Sequence, residues 1–370
     1  MAEGLKVLVV DDSLIFRKAI EAALKDEKDV RVVGSVMNGL KALDFIKSSP
    51  VAPDIVTLDV EMPGMNGLET LKAIQEINES CGTDIGVIMV SSHTHNGAEA
   101  TIKALEIGAF DFIAKPNGDN AAQSMEILRG NLLIKMRHYA LRRKKTGRSP
   151  ASVAAPVAPP EPRRIPFPPE SSCSLEAVRS VIIGVSTGGP KALTAMLPAL
   201  SDAVDLPIFI VQHMPPLFTA TLAESLNVKC RHEVREAVDG GEVKNNGIYI
   251  APGGKHMVVR KKDGGGICTA LNDQPPENGC RPSVDVLFRS AAAVYGGQMV
   301  AVILTGMGSD GAKAAAPLKR AGAHLIVQDE ATSVVWGMPG SAVATGYVDE
   351  ILPLAGIPEA VKREVGKRGR

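Results

Sequence analysis

The chain has 370 residues, with 41 lysines plus arginines set against 41 aspartates plus glutamates, a formal net charge of zero. That length accommodates two or three domains with buried cores, and the even charge balance argues against a broad basic surface for nucleic acid or an anionic membrane. No apolar stretch approaches the roughly 18 residues that a spanning helix needs, and Lys6 leads straight into a short strand-like run, so a soluble cytoplasmic protein without direct membrane insertion is expected. The five cysteines, at 81, 173, 230, 268 and 280, form no C-x-x-C pair, which argues against a thiolate zinc site or a disulfide scaffold and fits a reducing compartment.

In the first segment, residues 1 to 140, apolar runs at Val7 to Val10, Val30 to Val36, Ile55 to Leu58, Val87 to Val90 and Phe110 to Ala114 alternate with helical periodicity such as Leu14 to Leu24 and Leu68 to Ile77. This α/β pattern predicts a doubly wound, flavodoxin-like parallel sheet of five strands. Polar residues end those runs: Asp11 and Asp12 after the first, Asp59 after the third, Ser91 at the fourth and Lys115 after the fifth. In such a fold all gather at the carboxyl edge, where ligands bind. Three crowded carboxylates repel one another, and a hard divalent cation, usually Mg²⁺, relieves that repulsion. With an ammonium and a hydroxyl ready for an added phosphoryl group, Asp59 becomes the natural nucleophile, and the segment reads as a phosphoacceptor.

These residues make the segment resemble the receiver domains of two-component response regulators. The resemblance implies phosphorylation of Asp59 by a histidine kinase, with Mg²⁺ held by Asp12, Asp59 and the main-chain carbonyl of Glu61, and Asp11 completing the acidic pair. It also implies a switch through Ser91, Lys115 and the aromatic position Phe112, and a proline after Lys115 that in this family usually follows a cis bond. Phe112 stands where many receivers carry tyrosine, so the aromatic switch lacks its hydroxyl here.

A helix beginning near Ala121 runs into the basic cluster Arg142-Arg143-Lys144-Lys145, read as a solvated helix end in preference to an anchor for an acidic partner. From 141 to 178 the chain reads as an interdomain linker, because eight prolines lie between Pro150 and Pro169 in a composition that cannot bury a core.

Residues 179 to 370 form the second domain. Strand candidates at Val181 to Val185, Ile208 to Gln212, Gly247 to Ala251, Met299 to Thr305 and His324 to Gln328 predict a separate α/β fold with a mostly parallel sheet. The first of them ends abruptly in Gly184-Val-Ser-Thr-Gly-Gly189, a turn that can display the Ser186 hydroxyl as a nucleophile or use it merely to cap the following helix. Past other strand ends stand His213 and Asp310. Hydroxyl, imidazole and carboxylate on one edge are what a base needs to take the serine proton while an acid fixes the base's tautomer. Among the seven histidines the serious rival to His213 is His256, in a Gly-rich loop where a structural hydrogen-bonding role is the more usual one.

Three other motifs fail. Gly184-Val-Ser-Thr-Gly188 matches G-x-S-x-G, but the order Ser, His, Asp differs from that of α/β-hydrolases. As a dinucleotide fingerprint it lacks the middle glycine, where Ser186 stands, and the ribose-binding acid. Gly306-Met-Gly-Ser-Asp-Gly311 resembles a P-loop, yet its lysine is displaced and Ala314 supplies no metal-binding hydroxyl.

With Ser186-Thr-Gly-Gly189, Gln212-His-Met-Pro-Pro216, Lys255-His-Met257, Arg281-Pro-Ser-Val-Asp-Val-Leu-Phe288, Leu304-Thr-Gly-Met-Gly308 and Gly337-Met-Pro339, the second segment resembles the CheB-type methylesterases of chemotaxis. The resemblance also covers the domain order, while residues 274 to 280 follow the family less closely. It implies a protein-glutamate methylesterase and protein-glutamine deamidase acting on methylated chemoreceptors, with no cofactor for ester hydrolysis. Ser186 is then the nucleophile, His213 the general base, Asp310 the orienting acid and the Met307 amide an oxyanion donor. Two other readings remain open on the residues alone: a non-catalytic phosphorylation-dependent binding module, and a hydrolase of another ester or amide.

Overall fold

The computed structural model describes residues 4–116, 121–146, 163–164 and 177–368, so most of the expected linker, 147–162 and 165–176, lies outside the described residues. The chain divides into two compact units, Met1–Ala155 and Pro156–Arg370.

The first unit runs β1 (Leu5–Val10), α1 (Leu14–Leu24), β2 (Val30–Val36), α2 (Gly39–Ser48), β3 (Ile55–Asp59), α3 (Gly67–Cys81), β4 (Gly86–Ser91), α4 (His95–Ile107), β5 (Asp111–Ala114) and α5 (Ala121–Thr146). Its strands pair in parallel in the order β2-β1-β3-β4-β5, the expected five-stranded doubly wound sheet. Every residue of β3 and β4 is buried, as strands covered by helices on both faces must be, which is why they read as continuous apolar runs. Side chains set the helix starts: Ser13 accepts from the Phe16 N–H, Thr94 accepts from the Gly97 N–H, and Asn66 and Glu69 form a capping box. Such caps contribute about 1 kcal/mol each. From β1 the chain winds to β2 on one side and to β3 on the other, so the carboxyl ends of β1 and β3 flank the crevice of a switch point. At the far end of α5, Arg143 pairs with Asp54 and Arg142 lies 3.7 Å from Asp84. Two of the four residues of the basic cluster thus have acidic partners within the unit, where a solvated helix end was expected, because the long helix carries them back over the loops that precede β3 and β4.

The second unit contains β6 (Arg163–Arg164), β7 (Ser180–Val185), α6 (Gly189–Ala203), β8 (Ile208–Gln212), α7 (Phe218–Asn227), β9 (Glu233–Glu236), β10 (Gly247–Ile250), β11 (His256–Lys261), β12 (Ile267–Asn272), α8 (Val284–Tyr295), β13 (Met299–Ile303), α9 (Ala312–Ala321), β14 (His324–Gln328), α10 (Gly337–Ala344), β15 (Glu350–Leu352) and α11 (Ile357–Arg368). Eight strands form one sheet in the order β6-β15-β14-β13-β7-β8-β10-β9, parallel except where β15 meets β6. The chain starts its parallel sheet at β7, moves outward through β8, then returns to lay β13 on the other side, so β7 is itself the switch point. All residues of β7, β8 and β13 are buried. The five expected strands are present, but the pattern misses β6, which pairs with β15 from within the stretch 141 to 178 read as a linker, together with β9, β15 and the antiparallel hairpin of β11 and β12. The edge strand β9, Glu-Val-Arg-Glu, buries only its valine, and β15 has three residues, too few for a period to register. His256, expected in a Gly-rich loop, opens β11 opposite Asn272.

Candidate active site and phosphoacceptor site

Asp11 follows β1 directly and Asp59 ends β3; both are buried, while Asp12 is exposed. One carboxylate oxygen from each of the three lies within 4.8 Å of the others. The Lys115 ammonium bridges the two buried acids, 2.9 Å from Asp11 Oδ2 and 3.0 Å from Asp59 Oδ2, and sits 4.7 Å over the Phe16 ring. Burial, then the negative charge of Asp11, pushes the Asp59 carboxyl up to about 6 against the pull of Lys115 and a hydrogen bond from the Glu61 main chain. One ammonium therefore does not neutralise the pocket, and an all-oxygen donor set with surplus negative charge fits a hard divalent cation such as Mg²⁺. The Glu61 side chain is exposed, and it is the Glu61 main chain that hydrogen-bonds the Asp59 carboxyl. The Ser91 hydroxyl is buried and donates to the Gly97 and Ser92 carbonyls, and Phe112 is buried on β5. Lys115 reaches the acids without the cis bond typical of the family: Arg281–Pro282 is the cis peptide bond among the described residues.

In the second unit Ser186 follows β7 at the switch point. Its N–H donates to the Thr305 carbonyl at 3.0 Å, and its own carbonyl accepts from the Gly189 N–H at 2.8 Å and from Gln212 Nε2 at 2.9 Å. The cap of α6 is Gly188, left-handed at φ 78°, and makes no side-chain bond, so Ser186 does not cap that helix. Beside it runs the loop after β13. A Cβ on Gly306 would stand 2.7 Å from Ser186 Cβ and 2.4 Å from Met338 Sδ, so only glycine lets this loop lie against the serine. The next residue is the expected oxyanion donor, Met307, which is half-buried and whose N–H donates no hydrogen bond among the described residues.

Strand β8 pairs with β7 so that Val185 faces Gln212, and the following His213 donates its N–H to the Val185 carbonyl at 3.1 Å. Its ring Nε2 is 2.8 Å from Asp310 Oδ2. Asp310 is 2 % exposed and accepts four further bonds: from Asn278 Nδ2 at 2.8 Å, Ser283 Oγ at 2.9 Å, Val284 N–H at 2.7 Å and Asp285 N–H at 3.1 Å. Although burial opposes ionisation, His213 and these N–H donors hold the Asp310 carboxyl well below the usual carboxylate range. An ionised carboxylate only accepts, so Nε2 carries a proton and Nδ1 is the atom able to take one. Burial would push the His213 pKa down, but the bond to Asp310 and the neighbouring Cys280 outweigh it, and the value is pushed up to about 9.

The structure brings His213 and Asp310 together and sets Ser186 on the adjacent strand end, but among the described residues the serine hydroxyl makes no hydrogen bond to the imidazole. Nucleophile and base are commonly looser than this without substrate and tighten when it binds. His256 is wholly buried, accepting from the Ser283 N–H at 3.2 Å and donating to the Pro275 carbonyl at 3.1 Å, which makes it the structural hydrogen-bonder that its loop suggested.

Sequence reasoning missed two residues. Cys280 places Sγ 3.6 Å from His213 Nδ1, and Asn278, left-handed at φ 54°, bridges Asp310 and the buried Asp285, its amide 2.8 Å from each. Both lie in a tight turn closed by reciprocal bonds between Glu277 and Cys280. Scattered spacing hides such residues, and the one available signal is an asparagine-glycine pair two residues before a motif that supplies the partners of Asp310.

Two family models match the chain: the response regulator receiver domain over residues 7–125 and the CheB methylesterase over residues 181–361. A protein-glutamate methylesterase/protein-glutamine glutaminase of Desulfotalea psychrophila is 43 % identical, covering 98 % of this chain and 99 % of its own length. Another of that name, from a Nocardioides species, is 41 % identical over 99 % of this chain and 97 % of its own length. The crystal structure of the Thermotoga maritima CheB methylesterase catalytic domain, 42 % identical, covers 50 % of this chain and 98 % of that one at a TM-score of 0.49. With both domains matched in order and relatives aligned from end to end, the chain belongs to the family of CheB-type protein-glutamate methylesterase/protein-glutamine glutaminases.

Proposed function

We propose that this protein is a phosphorylation-regulated serine hydrolase that removes methyl esters from glutamates, and ammonia from glutamines, on chemoreceptors during chemotactic adaptation. The observation that carries the site reading is the 2.8 Å bond between His213 Nε2 and Asp310 on the sheet edge where Ser186 ends the central strand. Ser186 Oγ attacks the ester carbonyl carbon while His213 Nδ1 takes its proton, and Asp310 holds the ring and the imidazolium that forms. The N–H of Met307, the residue after the Gly306 that abuts Ser186, stabilises the oxyanion, a role worth about 2.7–4 kcal/mol per donor. Collapse expels the alkoxide, which leaves as methanol with the proton from His213. Water, deprotonated by the same nitrogen, then attacks the acyl carbon and releases glutamate. With a glutamine the leaving group is ammonia. Each turnover exchanges a neutral side chain for a carboxylate on the receptor and so changes its packing electrostatics.

In the receiver, Asp59 takes a phosphoryl group from a histidine kinase, and Asp11, Asp12, Asp59 and the main chain at Glu61 are the residues that would hold Mg²⁺. Bound there, the ion would supply charge neutralisation for the transfer. Lys115 is already placed against Asp59, and Ser91 has to turn from its carbonyl partners to reach a phosphoryl oxygen. Phe112 offers the switch its ring without a hydroxyl. Action in the cytoplasm on the receptors' soluble portions, without nucleic acid, belongs to the same reading; among the described residues no helix is long and apolar enough to cross a membrane.

The test is methanol release from methylated receptor. Ser186→Ala is expected to lose at least roughly a thousandfold in rate, and release at the wild-type rate would overturn the assignment. Labelling of Ser186 by a fluorophosphonate separates an enzyme from a domain that only binds.

A further inference from the structure

The proton-accepting atom of His213 faces a thiol. Asp310 occupies Nε2 at 2.8 Å, and on the other side of the ring Cys280 Sγ stands 3.6 Å from Nδ1, its other hydrogen-bond partner among the described residues being the Asn278 carbonyl at 3.7 Å. The placement is built twice over. The turn of 277 to 280 is closed by the Glu277 N–H to the Cys280 carbonyl at 3.1 Å and the Cys280 N–H to the Glu277 carbonyl at 2.9 Å. The side chain of Asn278 then ties that turn to Asp310, the same carboxylate that fixes the imidazole. Arg289 grips Glu277 through two bonds from outside. Cys280, like Cys230, is partly exposed, while Cys81 is exposed and Cys268 is buried, so what sets Cys280 apart is the imidazole beside its sulfur. His213, Cys280 and Asp310 also have the composition of a metal site, but both Asp310 oxygens already accept bonds, three on Oδ1 and two on Oδ2, so the cluster holds a proton path in preference to an ion.

We propose that Cys280 is a reversible modification site for low-molecular-weight disulfides, activated by His213, and that its modification switches the esterase off. With His213 in its neutral form, Sγ attacks one sulfur of the disulfide as its proton passes to His213 Nδ1. A new S–S bond joins Cys280 to that sulfur, the reagent's own S–S bond breaks, and the departing sulfur takes the proton from His213 and leaves as a thiol. One disulfide and one thiol give one mixed disulfide and one thiol. The adduct then occupies the space against Nδ1, the atom Ser186 needs. The loss of activity rests on the reading of His213 as the base for Ser186; the reactivity of Cys280 does not.

The test treats the full chain with 2-hydroxyethyl disulfide, follows occupancy of Cys280 by peptide mass spectrometry and measures methanol release from methylated receptor. Esterase activity is expected to fall by about tenfold or more in step with Cys280 occupancy, given the 10²–10⁴ that a general base contributes, and to return with dithiothreitol. Cys280→Ala is expected to keep through the treatment whatever activity it starts with. In His213→Gln the adduct should form at least about tenfold more slowly, whereas in Ser186→Ala it should form at the wild-type rate. Full occupancy of Cys280 with activity intact, or equal adduct rates with and without His213, overturns the inference. Esterase activity surviving in untreated Ser186→Ala would instead overturn the serine mechanism, and the adduct rates would still judge Cys280.

Discussion

At the residue scale, His213 is balanced between two tasks. Its pKa, raised from 6.5 to about 9, makes imidazolium the resting form near neutrality, and a base must be neutral to act. The ascending limb of kcat/KM against pH is therefore expected above the ordinary histidine range, approaching 9 in the free enzyme, and a profile already flat from pH 7 would refute it. The sign for stability is opposite. A raised histidine stabilises the fold fully below about 6.5, and that contribution disappears as the pH climbs to about 9, so activity is gained where this stabilisation is lost. Because Cys280 is among the causes of the shift, Cys280→Ala should move the limb towards acid. Asn278 offers a second measurement. Burial and the charge of Asp310 push the Asp285 carboxyl up, and the Asn278 amide is a shared donor between the two acids. Asn278→Ala removes a bond from each and should cost about 1–3 kcal/mol in denaturant unfolding, together with part of the activity. An unchanged midpoint would show that water replaces the amide without loss.

At the element scale, the site depends on how closely the β13 loop approaches the β7 turn. Gly306 is the point of closest approach, since a methyl there meets Ser186 Cβ at 2.7 Å and Met338 Sδ at 2.4 Å. Gly306→Ala must move the loop that carries Met307, and overpacking of this kind costs about 1–3 kcal/mol. A 1 Å displacement of a catalytic group can reduce the rate about a hundredfold. Activity is thus expected to fall further than stability, and kcat/KM at the wild-type value would disprove the close approach. Helix α8 contributes through its start, where Ser283, Val284 and Asp285 all donate to Asp310, which explains why Arg281-Pro-Ser-Val-Asp stands out in the sequence although none of its residues takes part in the chemistry. Asp285 in turn accepts from the Ala314 N–H at 2.7 Å and so fixes the first turn of α9.

At the scale of the whole molecule, regulation joins two units that each have their own core and their own switch point. A chain beginning at Leu175 is expected to release methanol faster than the unphosphorylated full chain, and Asp59→Asn should abolish any stimulation of the full chain by a small phosphodonor with Mg²⁺. Equal or lower activity of the shortened chain would eliminate restraint by the receiver, and stimulation surviving in Asp59→Asn would move the phosphoacceptor elsewhere.

The sequence by itself determined the five-stranded sheet, the five inner strands of the eight-stranded one and the residues that the ends of those strands carry. Strands buried on both faces leave continuous apolar runs, and parallel topology sends their last residues to one edge, so Asp11, Asp59, Ser186 and His213 are legible from position alone. Local period does not register what depends on distant partners. The hairpin of β11 and β12, the two-residue strand β6 and the three-residue strand β15 beside it, and the turn that places Asn278 and Cys280 against Asp310 and His213 all belong to that class. Only the tertiary structure decided that Ser186 leaves the capping of α6 to Gly188, and that the open nitrogen of His213 faces a thiol. Hydrogen-bond partners and desolvation are set by what folds over a residue, and the residues around Asp310 come from 97 positions of separation at His213 down to 25 at Asp285.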